Sequence, residues 1–186
     1  MQKNPLLNFL IVLLCIALGA GIAKWMGEQS PTAHAPPPAA RAAPAFAAKD
    51  INGKAHNLEG YKDQSIVINF WASWCAPCIT EFPILLSAAQ NYKNTIFLLI
   101  SIDSDAALIK KFMRRLPAEY QPILKQENII LLHDPEKDVM QNAFGIYQIP
   151  ETLVLDRNHT IQHHWKGSSF TKQELERLIH NLQPPS

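Results

Sequence analysis

The sequence predicts an α/β domain: a central mixed β-sheet flanked by helices, extended at its N-terminal end by a β-hairpin. Three observations carry this. Ile66-Val67-Ile68-Asn69-Phe70 and Thr95-Ile96-Phe97-Leu98-Leu99-Ile100-Ser101-Ile102 are nearly unbroken apolar runs rich in β-branched residues, the pattern of strands buried on both faces. Between them Ile79, Phe82, Leu85, Leu86 and Ala89 recur at spacings of three and four, so a helix crosses over and the two strands pair in parallel. Later, Leu153-Val154-Leu155-Asp156 and Thr160-Ile161-Gln162-His163-His164-Trp165 flank a turn at Arg157-Asn158, which makes an antiparallel hairpin. Both kinds of pairing in one chain make the sheet mixed.

At 186 residues, 47% hydrophobic and with formal net charge +1, the chain has room for one well-cored domain plus appendages and lacks the charge excess that nucleic-acid binding requires. The first appendage is apolar. From Leu6 to Ala23 the only strongly polar residue is Asn8, with Lys3 and Lys24 on either side. As a helix this run spans about 27 Å, close to the apolar thickness of a bilayer. Residues 1–26 are therefore expected to be a membrane anchor or signal segment. The length of the run favours an anchor, and the small residues of Gly21-Ile22-Ala23 leave room for cleavage. Cys15 follows Leu14, not the small residue that precedes a lipidated cysteine, and reads as an apolar member of the span. Residues 27–44 hold Pro31, Pro36, Pro37, Pro38 and Pro44 with Ala in most gaps. They are expected to form an extended, semi-rigid spacer in which His34 and Arg41 are solvated.

The folded domain is expected over residues 45–186. Phe46 to Asp50 and Lys54 to Leu58 flank Asn52-Gly53, the strongest short-range hairpin signal. After the second buried strand, Ser104 to Leu116 reads as an amphipathic helix capped by Ser104 or Asp103, with Asp105 in its first turn. Its basic cluster of Lys110, Lys111, Arg114 and Arg115 matches the helix dipole as a solvated face. Pro117 to Asn128 reads as an irregular loop, Ile129 to Leu132 as a short strand, and Lys137 to Phe144 as a short helix stopped by Gly145. Thr171 caps a last helix, Lys172 to Leu182, with Glu174 in its first turn.

Cys75 and Cys78 stand three residues apart where the first buried strand gives way to its helix. Unpaired N–H groups and the positive end of the dipole stabilise a thiolate there, and the thiolate is the nucleophile. Cys75 is placed to attack a partner's disulfide and Cys78 to resolve the mixed disulfide. Two other uses of the pair are a structural disulfide and half of a zinc site. So short a loop constrains the unfolded chain little, and no second Cys or His pair stands at ligand spacing. His163 and His164 are adjacent on a strand, point to opposite faces and do not chelate, so no metal site is expected.

Trp74-Cys75-Ala76-Pro77-Cys78 after an apolar strand resembles a thioredoxin-fold active site. The longer Asn69-Phe70-Trp71-Ala72-Ser73-Trp74-Cys75-Ala76-Pro77-Cys78-Ile79-Thr80-Glu81 is similar to the membrane-tethered TlpA/ResA/CcmG branch of that fold. Ile149-Pro150-Glu151-Thr152 resembles the cis-proline loop that faces the cysteines in such proteins. By this resemblance Cys75 attacks, Cys78 resolves, Pro150 denies metals the two sulfurs and Ile149 offers backbone groups to a bound peptide. Trp71 and Trp74 wall the site. Asn69 departs from cytosolic thioredoxins, which carry a buried proton-shuttling Asp in that place. Glu81, one turn beyond Cys78, is the substitute, and as a nearby negative charge it opposes thiolate formation. Glu151, beside Pro150, is a second acid that the CcmG subset shares, and with Trp74, Ile149 and Pro150 it is expected to meet substrate.

The resemblance implies a thioredoxin-fold thiol-disulfide oxidoreductase with no cofactor beyond its cysteine pair. It implies a single-pass protein of the inner membrane whose domain faces the periplasm or extracytoplasmic side. Implied partners are protein thiols and disulfides and a membrane electron donor. It also implies a reductase, with apocytochrome c in cytochrome c maturation as one substrate. The alternatives are an oxidase or isomerase of secreted proteins, a copper-binding delivery module and a tethered adaptor.

Overall fold

In the computed structural model residues 41–184 are described, so Leu6–Ala23, Cys15 and all but the end of the Pro/Ala-rich spacer lie outside the described residues. Among the described residues no helix is long and apolar enough to cross a membrane.

One eight-stranded sheet organises them. In chain order its strands are β1 (Arg41–Ala42), β2 (Ala47–Asp50), β3 (Ala55–Asn57), β4 (Ser65–Trp71), β5 (Thr95–Ser101), β6 (Ile129–His133), β7 (Glu151–Leu155) and β8 (Thr160–Lys166). In space they run β1-β8-β7-β4-β5-β6-β2-β3. β4 pairs in parallel with β5, and β5 with β6, whereas β7, β8 and the β2–β3 hairpin pair antiparallel. The sheet is mixed, as its sequence pattern requires. Every residue of β4, β5 and β7 is buried, because layers cover both faces.

Among the described residues three α-helices complete the fold: α1 (Ala76–Asn91), α2 (Ala106–Arg115) and α3 (Lys172–Asn181). Trp71 of β4 packs on Phe82 of α1 and Phe112 of α2, with ring centroids 4.8 and 5.1 Å away, while Phe70 turns to the opposite face and meets Phe144 at 5.4 Å. Each fully buried aromatic of this kind contributes about 3 kcal/mol of transfer free energy. α3 begins with a reciprocal capping box between Thr171 and Glu174 and meets the end of α1 through Asn91 and Glu176.

Several expectations need correction. Arg41 and Ala42 are not spacer, for their backbones pair with Ile161 and Thr160, so the sheet takes up the chain before residue 45. Ile79 is exposed. The buried stripe of α1 runs through Cys78, Glu81, Phe82, Leu85, Leu86 and Ala89, and on a 3.6-residue helix Ile79 falls beside it. α2 starts at Ala106, and Asp105 is its cap, accepting the Ala107 N–H. Asp103 is buried and engaged elsewhere. Pro117 to Asn128 contains two 3₁₀ turns and ends on a buried Asn128, whose Nδ2 donates to the carbonyls of Ala89, Tyr92 and Thr95. The short helix before Gly145 is a π-helical turn, Asp138–Ala143. Its entry amides, those of Val139 and Met140, donate to the Asp134 carboxylate.

Candidate active site

β4 ends at Trp71, a tight turn follows, and α1 starts at Ala76 with Cys75 as its N-cap. Pro77 sits in the first helical turn, where a missing N–H costs nothing. A disulfide joins Cys75 to Cys78, with Sγ–Sγ 2.01 Å and Cα–Cα 5.2 Å. Cys75 retains 6% exposure and Cys78 none, so an incoming group reaches the first sulfur and not the second. The Cys78 N–H already points at Cys75 Sγ, 3.3 Å away. On reduction the same N–H, with the helix dipole behind it, faces a thiolate.

Glu81 lies one turn after Cys78 on the same helical face and is 3% exposed. Asn69 Nδ2 donates to its Oε1 at 2.7 Å and Ser168 Oγ to its Oε2 at 3.0 Å. Burial outweighs these two bonds and pushes its carboxyl up to about 7. Asn69 also donates to Thr152 Oγ1 at 2.9 Å, so one buried chain of polar groups joins α1, one turn past Cys78, to β4 and β7. Thr152 and Ser168 escaped sequence reasoning. Asn69, a polar residue inside an apolar strand, was the available signal for that network.

The Ile149–Pro150 peptide bond is cis. Antiparallel register sets Glu151 opposite Phe70, which brings Pro150 level with Trp71 at the end of the sheet where the cysteines lie. The Pro150 carbonyl accepts from Gly167 N–H at 2.8 Å, whereas the backbone N–H and C=O of Ile149 make no hydrogen bond among the described residues. Trp74 is 65% exposed beside Cys75. Trp71, expected to wall the site, is instead core beneath it, because strand alternation turns it onto Phe82 and Phe112. Glu151, expected to meet substrate, is buried with its carboxylate against His164 Nε2 across the β7–β8 pair. His163 points away and packs at a tilt against Trp165. Among the described residues no three His, Cys, Asp or Glu side chains gather as a metal-ligand set.

A profile described as the AhpC/TSA family matches residues 39–164. The chain belongs to the AhpC/TSA family. Within the curated relatives of this AhpC/TSA chain, the thiol-disulfide oxidoreductase ResA of Bacillus cereus is 25% identical over 186 residues, which is 99% of this chain and all of that one. The thioredoxin-like protein YneN of Bacillus subtilis is 27% identical over 140 residues, 74% of this chain and 76% of its own. A crystal structure from Chlorobium tepidum, provisionally named thiol:disulfide interchange protein DsbE, superposes with TM-score 0.64 at 25% identity, covering 77% of this chain and 96% of the other. The fold is thioredoxin-like, the resemblance to the ResA and CcmG-like branch holds, and this family member is a thiol-disulfide oxidoreductase.

Proposed function

We propose that the chain is a reductase of protein disulfides outside the cytoplasm, held at the inner membrane by residues 6–23 with residues 27–40 as spacer. Cys75 attacks a substrate disulfide and Cys78 releases the mixed disulfide. The observation that carries the direction is Glu81. Strong disulfide oxidants owe their potential to a stabilised reduced form, whose thiolate is favoured. A buried carboxyl one turn from Cys78 becomes anionic as pH passes about 7 and opposes that thiolate, which shifts the pair toward reduction of others. The free backbone of Ile149 beside Pro150 and the exposed Trp74 suit an extended, cysteine-bearing segment that pairs in β fashion. Apocytochrome c cysteines awaiting haem are such a segment, and they fit the resemblance to the ResA and CcmG branch. A membrane protein that returns electrons to the pair is then required.

The test of direction is the reduction potential of the pair. Equilibration with glutathione or reduced thioredoxin should place it nearer the roughly −270 mV of thioredoxin than the roughly −120 mV of strong periplasmic oxidants. A value at the oxidising end would make the protein an oxidase. A reporter fused after Ser186 should behave as exported, and cytoplasmic behaviour of that reporter would overturn the proposed placement.

A further inference from the structure

A buried acid at the end of β5 has no part in the chemistry described so far. Asp103 is completely buried, and no Lys, Arg or His side chain forms a salt bridge with it among the described residues. Such a group persists only where donors saturate its oxygens. Its Oδ2 accepts from the Ser73 backbone N–H at 2.9 Å and from Ser101 Oγ at 2.7 Å, and its Oδ1 accepts from Ser73 Oγ at 2.8 Å. The Asp103 main chain is fixed as well, since its N–H donates to Ser101 Oγ and its carbonyl lies 2.8 Å from His133 Nε2.

Two of the three donors on this carboxylate belong to Ser73, and Ser73 is part of the turn that presents the nucleophile. The Cys75 N–H donates to the Ala72 carbonyl at 3.2 Å, which makes Ser73 and Trp74 the two central residues of a four-residue turn. Trp74 is exposed, so the inner anchorage of the turn falls to Ser73. The Ile102 N–H donates to the Trp71 carbonyl at 3.0 Å, and beyond that bond the contact between β5 and this turn passes to the Asp103 carboxylate.

We propose that Asp103 is the positioning residue of the Cys75 turn. By gripping both the backbone and the hydroxyl of Ser73 it fixes where the chain enters α1, and so the direction in which the Cys75 sulfur meets an incoming disulfide. It touches neither sulfur nor substrate. The proposal rests on Cys75 being the attacking sulfur. Orientation of this kind matters kinetically, because a misplacement of about 1 Å can cost on the order of a hundredfold in rate.

The test compares Asp103→Asn, Asp103→Ala and Ser73→Ala in the reduced full-length protein in detergent, with Thr171→Ala, which removes the cap of α3 and no bond of the turn, as a destabilised control. Two readouts are taken below each variant's melting temperature: exchange with a small aromatic disulfide, and the pH midpoint of Cys75 alkylation. An Asn at 103 satisfies the same partners without charge, its oxygen accepting from Ser73 N–H and Ser101 and its amide donating to Ser73 Oγ. Asp103→Asn should therefore stay within about threefold of wild type in rate, and its midpoint serves as the charge-free reference for Asp103→Ala. Asp103→Ala should slow exchange about tenfold or more and move the midpoint. Ser73→Ala, which keeps one of the two ties, should fall between them, and it carries the test alone if Asp103→Ala does not fold. Wild-type rate and midpoint in Asp103→Ala or Ser73→Ala, whatever happens to the melting temperature, would overturn the proposal. So would an Asp103→Asn protein as slow as Asp103→Ala, because charge and not placement would then be the agent. Wild-type exchange itself tests the oxidoreductase reading, and the alkylation midpoints test the placement independently of it.

Discussion

Glu81 shows how one side chain ties stability to chemistry. Its carboxyl titrates near 7 in the folded protein, against an ordinary value of 4.5, because burial disfavours the charged form. The folded state therefore binds more protons than the unfolded state between those values, and stability declines as pH rises through that window. The full effect is on the order of 3 kcal/mol, present below about pH 4.5 and gone above about pH 7. Glu81→Gln should flatten this decline when melting is followed from pH 4.5 to 8, and should move the midpoint of Cys75 alkylation to lower pH by removing the opposing charge. An unchanged alkylation profile would reduce Glu81 to a buried helix residue. Its importance was legible in the sequence from its place one turn past Cys78. Its Ser168 partner was not, since Ser168 follows β8 in an exposed turn that only tertiary folding carries to α1. Glu151 was misread for a related reason. Adjacency to Pro150 suggested a substrate contact, but His164 two strand positions away from its cross-strand neighbour takes the carboxylate.

Among the elements, those with strong local signals fell where the sequence put them. The Asn52-Gly53 hairpin, the two apolar strands and the capped last helix are each specified by a few adjacent residues. α3 offers a clean check. Thr171 Oγ1 accepts the Glu174 N–H at 3.2 Å while Glu174 accepts the Thr171 N–H at 2.7 Å, a bond that also holds the exposed Glu174 carboxyl below its ordinary range. Thr171→Ala should cost about 1 kcal/mol in denaturant unfolding and leave disulfide exchange at the wild-type rate. Loss of exchange in that variant would mean that α3 contributes to the site. Elements that rest on distant partners were less legible. The start of α2 moved because Asp103 is drawn to Ser73, thirty residues earlier, and the π-helical turn forms because Asp134 collects its first amides.

At the scale of the molecule, the sheet order explains why the site lies where it does. β4 and β5 run in parallel, so their C-terminal ends lie at one end of the sheet, and antiparallel β7 begins at that same end, directly after Pro150. The order strand, helix, strand and hairpin was readable in the sequence, and it was enough to bring Cys75 and Pro150 to one end. What local pattern could not supply was the uptake of Arg41 into the sheet against β8, a pairing across more than a hundred residues. The proposed membrane anchorage is tested by fractionation. The full chain should sediment with membranes and require detergent for release, and a freely soluble mature protein would mean that residues 6–23 are removed.

The central claim is a division of labour, with Cys75 attacking and the buried Cys78 resolving, and trapping tests it most directly. Reduced Cys78→Ala protein mixed with two peptides joined by a disulfide should accumulate a covalent adduct, one peptide leaving as its thiol, whose mass equals protein plus one peptide thiol less two hydrogens and which a thiol reductant releases. Cys75→Ala should accumulate none, because the remaining sulfur is fully buried. Turnover by Cys78→Ala at the wild-type rate, or equal trapping by the two variants, would contradict the account.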